Sequence, residues 1–385
     1  MKRLLILFMI LFLLSCSNDD DATPTTLTNT PPMGNTDNDP GEDPVDPVGT
    51  PAEYRGLDLS FSSYMADSSV VYKDMTGAII PDIYAYSHSR GVNLVRLRAW
   101  VNPSGMYNRT ADLLPKAQEA HDAGMDILLD LHYSDTWADP GQQAIPSTWD
   151  GTSVTALSAD ITSYTTDLLQ LLQAQGTPPS IVQLGNEINQ GLLWPIGMVS
   201  SATDPNLPAM NQLIQAGIDA VRTTVPNAQI MLHIADPGFG EDFFNDYLTV
   251  TDYDIAGLSY YPAYHNNSVA QLGALVQATA TASGRPVMLA EVAYPFTLGF
   301  NDNTNNIVGL NSQLEAGYPA SEQGQLDFMR DVLAQMETLP AGMNAGFVYW
   351  APDWIAGGSQ GSPWENMALW DFDSEAVTAW TVFAP

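Results

Sequence analysis

From residue 54 onward the chain alternates two hydropathy patterns. Short, largely apolar runs recur: "YRGLDLS", "NLVRLRAW", "DILLDLHYSD", "IVQLGNEIN", "QIMLHIA", "DIAGLSYYP", "PVMLAEVAYP" and "AGFVYWAPDW". Their length and their content of β-branched and aromatic residues suit buried strands. Between them lie segments with apolar residues every three to four positions, such as "TADLLPKAQEAHDAG", "SADITSYTTDLLQLLQAQG" and "AMNQLIQAGIDAVRTTV". That spacing is the mark of an amphipathic helix. Several of these segments end in Gly just before the next run, as a helix stop does. Eight such alternations predict an α/β protein built as a single (β/α)8 TIM barrel. A doubly wound parallel sheet is the competing arrangement.

Polar residues crowd the C-terminal ends of the runs: Asp58, Arg96, Arg98, Asp130, His132, Asn186, Glu187, His233, Tyr260, Tyr261, Glu291 and Trp350. A barrel of this kind builds its active site at that end, whereas a purely structural strand would finish in hydrophobes. Glu187 ends the fourth run and Glu291 the seventh. Either alone is readily explained as a solvated charge at a loop edge. Simple alternation, however, puts Val287, Leu289 and Glu291 on one face, and likewise Gln183, Gly185 and Glu187. Both carboxylates are therefore expected to point inward, where a carboxylate is costly unless paired or used. Two carboxylates about 5–5.5 Å apart across a glycosidic bond supply the nucleophile and the acid/base of a retaining glycosidase.

The neighbours have matching expectations. Arg96, Arg98 and Trp100 share one face, and an inward arginine beside Glu291 would keep it ionised. A structural salt bridge to Asp58 or Asp130 is the other reading of those arginines. Asn186 is placed to bond a substrate hydroxyl. A hydroxyl from Tyr260 or Tyr261 can orient Glu291, with alternation putting Tyr261 beside Gly257 and Ser259. Trp100, Trp137, Trp194, Trp350, Trp354 and Trp364 fall in or just after strand ends. Indole faces stack on the C–H faces of sugar rings, and the layer as a whole suggests a sugar-binding groove in which Trp100, Trp350 and Trp354 touch substrate. Any one of them alone is better explained as core packing.

Charge narrows the partners. The 385-residue chain carries 44 acidic against 12 basic residues, a formal net charge of −32. It lacks the Lys/Arg footprint of a nucleic-acid binder, and its field favours a neutral substrate over a polyanion. The start, "MKRLLILFMILFLLSC", has a basic end and an apolar run too short for a stable membrane span. Its final "LLSC" resembles a bacterial lipobox, which predicts a signal over residues 1–16 and lipidation of Cys16. As the sole cysteine, Cys16 also excludes a disulfide within the chain. Residues 17–52 are rich in Asp, Pro, Thr and Asn, without Lys or Arg, and predict a disordered tether. Residues 53–385 then form the folded domain. The "SNDDD" after Cys16 resembles the export signal of surface lipoproteins in Bacteroidetes-type bacteria, so an outer-membrane, surface-exposed lipoprotein is expected.

Longer strings carry a family resemblance: "RGLDLS", "GVNLVRLRAWVNPSG", "AGMDILLDLHYSDTWADPGQQ", "VQLGNEINQGLLWP", "IMLHIA", "IAGLSYYPAYH", "EVAYPF" and "GSPWENMALWDFD". They span essentially the whole folded domain. The chain resembles glycoside hydrolase family 53, the endo-β-1,4-galactanases of the large retaining clan of (β/α)8 hydrolases. The resemblance implies Glu187 as acid/base and Glu291 as nucleophile, with Asp58, Arg96, His132, Asn186, His233, Tyr261 and Trp350 near the cleaved bond. It implies retaining hydrolysis inside β-1,4-galactan and type I arabinogalactan, as in the breakdown of pectin side chains, with no cofactor needed for the chemistry. The expected partner is the polysaccharide, with the membrane reached only through the lipid and the protein a monomer. Val292 and Phe296 depart from the family's usual Thr and Trp and bear on a subsite wall. In place of a calcium loop with a histidine stands "LGFNDNTNNIVG", where Asp302, Thr304 and Asn306 alternate. Asp302 and Asn306 are candidate calcium ligands, and a plain Asn-rich turn is the alternative. A β-1,4-mannanase or glucanase of the same clan, and a surface glycan-binding lipoprotein without catalysis, remain alternatives. The presence of both glutamates, Asn186 and Arg96 favours an enzyme, since binding alone needs neither carboxylate.

Overall fold

Eight strands pair in parallel and in chain order: β1 (Tyr54–Asp58), β2 (Leu94–Ala99), β3 (Asp126–Leu131), β4 (Ile181–Leu184), β5 (Gln229–Ala235), β6 (Ile255–Tyr260), β7 (Val287–Val292) and β8 (Asn344–Tyr349). β8 pairs with β1, so the sheet closes into the predicted barrel and the doubly wound alternative is excluded. This is a computed structural model that describes residues 54–356 and 361–384. The signal, Cys16 and the tether lie outside the described residues.

Helices cover the strands on the outside: Ile83–Ser89, Thr110–Asp122, Val154–Gln175, Leu207–Thr224, Val269–Ser283 and Glu322–Met336. A short piece, Gly240–Asp242, runs into the wider turn Phe243–Tyr247 between β5 and β6. After β8 the place of a last helix is taken by tight turns over Thr378–Phe383, whose Trp380 and Phe383 are buried. Local chemistry sets the helix limits. The Ser153 hydroxyl accepts the Ala156 N–H, so the connection from β3 to β4 begins its helix earlier than periodicity alone predicts. Gly176, at φ 87°, ends it in the left-handed conformation that glycine adopts without strain.

Two apolar layers result. Inside the barrel lie Tyr54, Leu94, Leu128, Ile181, Met231, Ile255, Met288, Ala290, Ala345 and Val348. Outside it, Leu57, Leu97, Leu129, Val182, Ile230, Leu258, Leu289 and Phe347 join a larger core with the helices. Each fully buried aliphatic side chain contributes about 1.5–3 kcal/mol relative to exposure. Alternation then carries polar groups to the same inner face one step nearer the mouth. Arg96 follows Leu94, Asp130 follows Leu128, Gln183 follows Ile181, and His233 follows Met231.

The two glutamates reach the mouth by other means than simple alternation. Val287 and Leu289 pack outward, so Glu291 does not take its direction from them. The register slips instead: Leu258 pairs with Leu289, but the next residue, Ser259, pairs with Glu291. Ala290 is an extra residue in a β-bulge, and the bulge returns Glu291 to the inner face. β4 ends at Leu184, so Glu187 lies beyond the strand, in a turn with Gly185 at φ 77° and Glu187 at φ 48°.

Candidate active site

Arg96, 1% exposed, organises the floor of the barrel mouth. One guanidinium nitrogen lies 2.9 Å from Asp58 Oδ2 and 2.8 Å from Glu291 Oε1. The other lies 2.8 Å from Asp130 Oδ2 and 2.8 Å from Asn186 Oδ1, while Nε donates to Gln183 Oε1 at 3.1 Å. Both readings of this arginine therefore hold at once, since it pairs with structural carboxylates and with Glu291. Burial works against its charge, but Asp130, Glu291 and Asp58 more than offset that and raise its pKa.

Glu291 is held from both sides. Arg96 donates to Oε1 and the Tyr261 hydroxyl to Oε2, at 2.9 Å. Tyr261 is thus the inward tyrosine, and Tyr260 turns outward to stack on Phe328. Glu187 is bonded differently. Ser259 Oγ donates to its Oε1 at 2.6 Å, and no cation touches it among the described residues. An oxygen of Glu187, an oxygen of Glu291 and a ring nitrogen of His233 all lie within 4.8 Å of one another. Both ring nitrogens of His233 are already within hydrogen-bond distance of protein groups, so the trio forms part of a hydrogen-bonded network.

The strained turn at Glu187 is clamped by its neighbours. Gly185 N–H donates to Leu131 O, Ile188 N–H to His233 O, and Gln143 Nε2 to Asn186 O. A non-glycine residue at positive φ costs on the order of 1–3 kcal/mol and persists only where its surroundings enforce it. Gly185 has no such freedom to change, because a Cβ there would sit 2.6 Å from Ile188 Cγ2.

The electrostatics divide the two carboxyls. Burial raises the pKa of Glu291, Arg96 pulls it back, and Asp58 and Asp130 push it up again, to about 7. Glu187 is raised well above the usual carboxylate range by burial and by the charge of Glu291, with the Ser259 bond acting the other way. With no cation in contact, Glu187 is the member of the pair that keeps a proton.

The supporting residues lie deeper than expected. Asp58 and His233 are both 0% exposed and meet the cleft only through Arg96, Asn186 and Ser259. Asn186 uses Oδ1 on Arg96 and one amide hydrogen on Ala138 O, which leaves only its second Nδ2 hydrogen for a substrate hydroxyl. His132 Nδ1 accepts from Trp100 Nε1 and Ala138 N–H, so Nε2 carries the proton and donates to Asp130. Burial lowers the pKa of His132, with Asp130 opposing, and Asp130 itself is held low by Arg96 and His132 against its burial.

Aromatic rings form one wall. Trp100 meets Trp137 edge-on, Trp137 meets Trp350, and Trp350 meets both Trp354 and Trp364. Phe61, unassigned by sequence, stacks on Trp354 with centroids 3.9 Å apart. Arg98 lies 4.1 Å from the Trp137 ring centroid rather than in an ion pair. Trp194 stands apart from this wall and bonds Gln190 O. Ser259 and Gln183 were also missed as site residues. Their signal was position, since each shares the inner face with a residue that was recognised.

At the candidate calcium loop, Asp302 accepts the backbone N–H of Thr304 and of Ser362, bracing the β7 loop to the β8 loop. Asn306 donates to Gly299 O while its Oδ1 is buried without a partner among the described residues, as are Glu365 Oε2 and Asn366 Oδ1. Unused buried oxygens are the donor type a hard cation takes, so the chemistry of these groups fits calcium.

The comparisons agree with this geometry. Residues 54–383 match the model of glycosyl hydrolase family 53. An arabinogalactan endo-beta-1,4-galactanase of Cellvibrio japonicus is 35% identical over 331 residues, 83% of this chain and 86% of that protein. An endo-beta-1,4-galactanase of Bacillus subtilis is 32% identical over 330 residues, 82% of this chain and 74% of the relative. Among solved structures, the GH53 catalytic domain of Ignisphaera aggregans superposes with a TM-score of 0.79 at 31% identity, covering 89% of this chain and 98% of its own. With a closed barrel, a glutamate pair at its mouth and a match across nearly every described residue, the chain belongs to glycosyl hydrolase family 53.

Proposed function

We propose that the protein is a retaining endo-β-1,4-galactanase that cuts inside the galactan chains of type I arabinogalactan. The observation that carries the chemistry is the approach of Glu187 and Glu291 oxygens to within 4.8 Å, with Arg96 and Tyr261 bonded to Glu291 and not to Glu187. That approach suits the short separation of retaining enzymes and leaves little room for the water an inverting enzyme needs. The names of the relatives support galactan as substrate.

In the first step a Glu291 oxygen attacks the anomeric carbon while Glu187 gives its proton to the glycosidic oxygen. The glycosidic C–O bond breaks and a glycosyl ester forms on Glu291. In the second step Glu187 takes a proton from water, the water oxygen bonds the anomeric carbon, and Glu291 leaves as a carboxylate. Partly exposed Trp100, Trp137 and Trp354 offer faces to the sugar rings.

The test is digestion of linear β-1,4-galactan, β-1,4-mannan and a soluble cellulose, followed through new reducing ends and anomer-resolved NMR. Expected are internal cuts in galactan with a β-anomer first product, and at least about a 1,000-fold loss of rate in Glu291→Gln with galactan binding retained. An α-anomer first product would refute retention, and cutting of mannan or glucan alone would move the substrate to another member of the clan.

The same reading extends to the chain's ends and loops. Cys16 in "LLSC" supports a lipid anchor that carries a monomeric enzyme on a tether at the cell surface. Palmitate labelling that persists in Cys16→Ala would refute it. The Asn306 and Glu365 oxygens that lack a partner among the described residues, with Asp302 beside them, support a structural calcium between the β7 and β8 loops. A melting temperature unmoved by calcium or by a chelator would refute that.

A further inference from the structure

β6 serves both glutamates from one face. Tyr261, just past its end, donates to Glu291, and Ser259, two residues earlier, donates to Glu187. Ser259 is 0% exposed and so has no access to substrate. Behind it stands His233, also 0% exposed, with Nε2 2.9 Å from Ser259 Oγ. Gln183 Nε2 lies 3.0 Å from His233 Nδ1, and its amide is oriented by Arg96, which donates to Gln183 Oε1.

The direction of these bonds follows from what Glu187 must do. A double displacement, the reading on which this inference rests, requires Glu187 to be protonated in one step and ionised in the next. Suppose His233 carried its proton on Nδ1, facing Asn186 Oδ1 at 3.0 Å. Nε2 would then need the Ser259 hydrogen, and Ser259 would turn a lone pair toward Glu187 Oε1 at 2.6 Å. An ionised Glu187 would face that lone pair without a donor. With the proton on Nε2 the Nδ1 contact with Asn186 Oδ1 is no longer a hydrogen bond, but the relay that reaches Glu187 persists in both states: Gln183 donates to His233, His233 to Ser259, and Ser259 to Glu187 Oε1.

We infer that Ser259, backed by His233 and Gln183, is a positioning residue that occupies Glu187 Oε1 and so confines the catalytic proton to Oε2. Proton transfer to the leaving oxygen and from the incoming water then uses the same atom in both half-reactions. The serine bond also favours the carboxylate form of Glu187, so its removal raises the pKa of the acid. Burial and the charge of Arg96 lower the pKa of His233 well below the usual range and keep it neutral, as the chain requires.

The test compares wild type with Ser259→Ala in pH profiles of kcat/KM on galactan and on an aryl β-galactobioside with an acidic leaving group. Expected is a basic limb moved to higher pH by about one to two units, the size of a hydrogen bond to a charged group. The rate constant on galactan should fall about tenfold, with a change of less than about threefold on the aryl substrate, whose leaving group needs little protonation. Ser259→Thr, which keeps the hydroxyl, should restore the limb. Ser259→Cys, a weaker donor of similar size, should shift it partway and serves if the alanine variant folds poorly. An unmoved limb, or an equal loss on both substrates, overturns the inference. Inactivity of the wild-type protein on both substrates would overturn the underlying reading instead, so the two failures are distinguishable.

Discussion

Arg96 is the residue through which the two glutamates become unequal. It touches Glu291 and two structural carboxylates, while among the described residues the Glu187 carboxyl has the neutral Ser259 as its hydrogen-bond partner. One guanidinium so placed favours ionised Glu291 and leaves the proton of the pair on Glu187. Another buried carboxyl lacks even that help. Asp353 is 0% exposed, and its carboxyl finds no hydrogen-bond partner in another residue among the described residues; burial, opposed by its own backbone N–H and helped by Asp58, raises its pKa to about 8. That value lies above the ordinary aspartate value, so between about pH 4 and pH 8 the native state holds a proton that the unfolded chain has lost. Stability is therefore lost as pH rises through that window, by up to about 1.4 kcal/mol per unit. Asp353→Asn cannot titrate. Its melting temperature relative to wild type should climb between pH 5 and pH 8 and level off above. A constant difference between the two proteins across that range would show that Asp353 does not carry this titration.

Two short backbone irregularities, rather than regular strand, aim the glutamates. The bulge at Ala290 turns Glu291 inward, and the left-handed turn after β4 does so for Glu187. Gly185 is the hinge of that turn, at φ 77° and with Ile188 packed where a Cβ would go. Gly185→Ala should cost about 1–3 kcal/mol in a denaturation experiment. On the proposed mechanism it should also lower kcat by at least about tenfold, because a shift of the turn displaces the Glu187 carboxyl from its position beside Glu291. A variant with wild-type stability and rate would mean that Glu187 is placed by other contacts. The helices behave more simply. Caps at Ser153 and Gly176 refine limits that periodicity had already set approximately.

At the scale of the molecule, the site joins distant parts of the chain, Arg96 and Glu291 being 195 positions apart. Barrel closure brings them together, because it turns strand order into angular position and strand direction into a common mouth. The strong acidity belongs to this scale too, and it suits a neutral polysaccharide better than a polyanion. Much was legible in advance. Strand–helix alternation is a local signal, so it declared the barrel, and polar residues at strand ends declared which end works. The sequence by itself determined the fold and the inward arginine, because these depend on periodicity, and it marked both glutamates through their residue chemistry near strand ends. Only the tertiary structure decided how the glutamates turn inward, which of them meets the cation, and that Ser259, His233 and Asp58 lie buried behind them. Those outcomes depend on register slips and on contacts between strands, and neither leaves a period in the sequence.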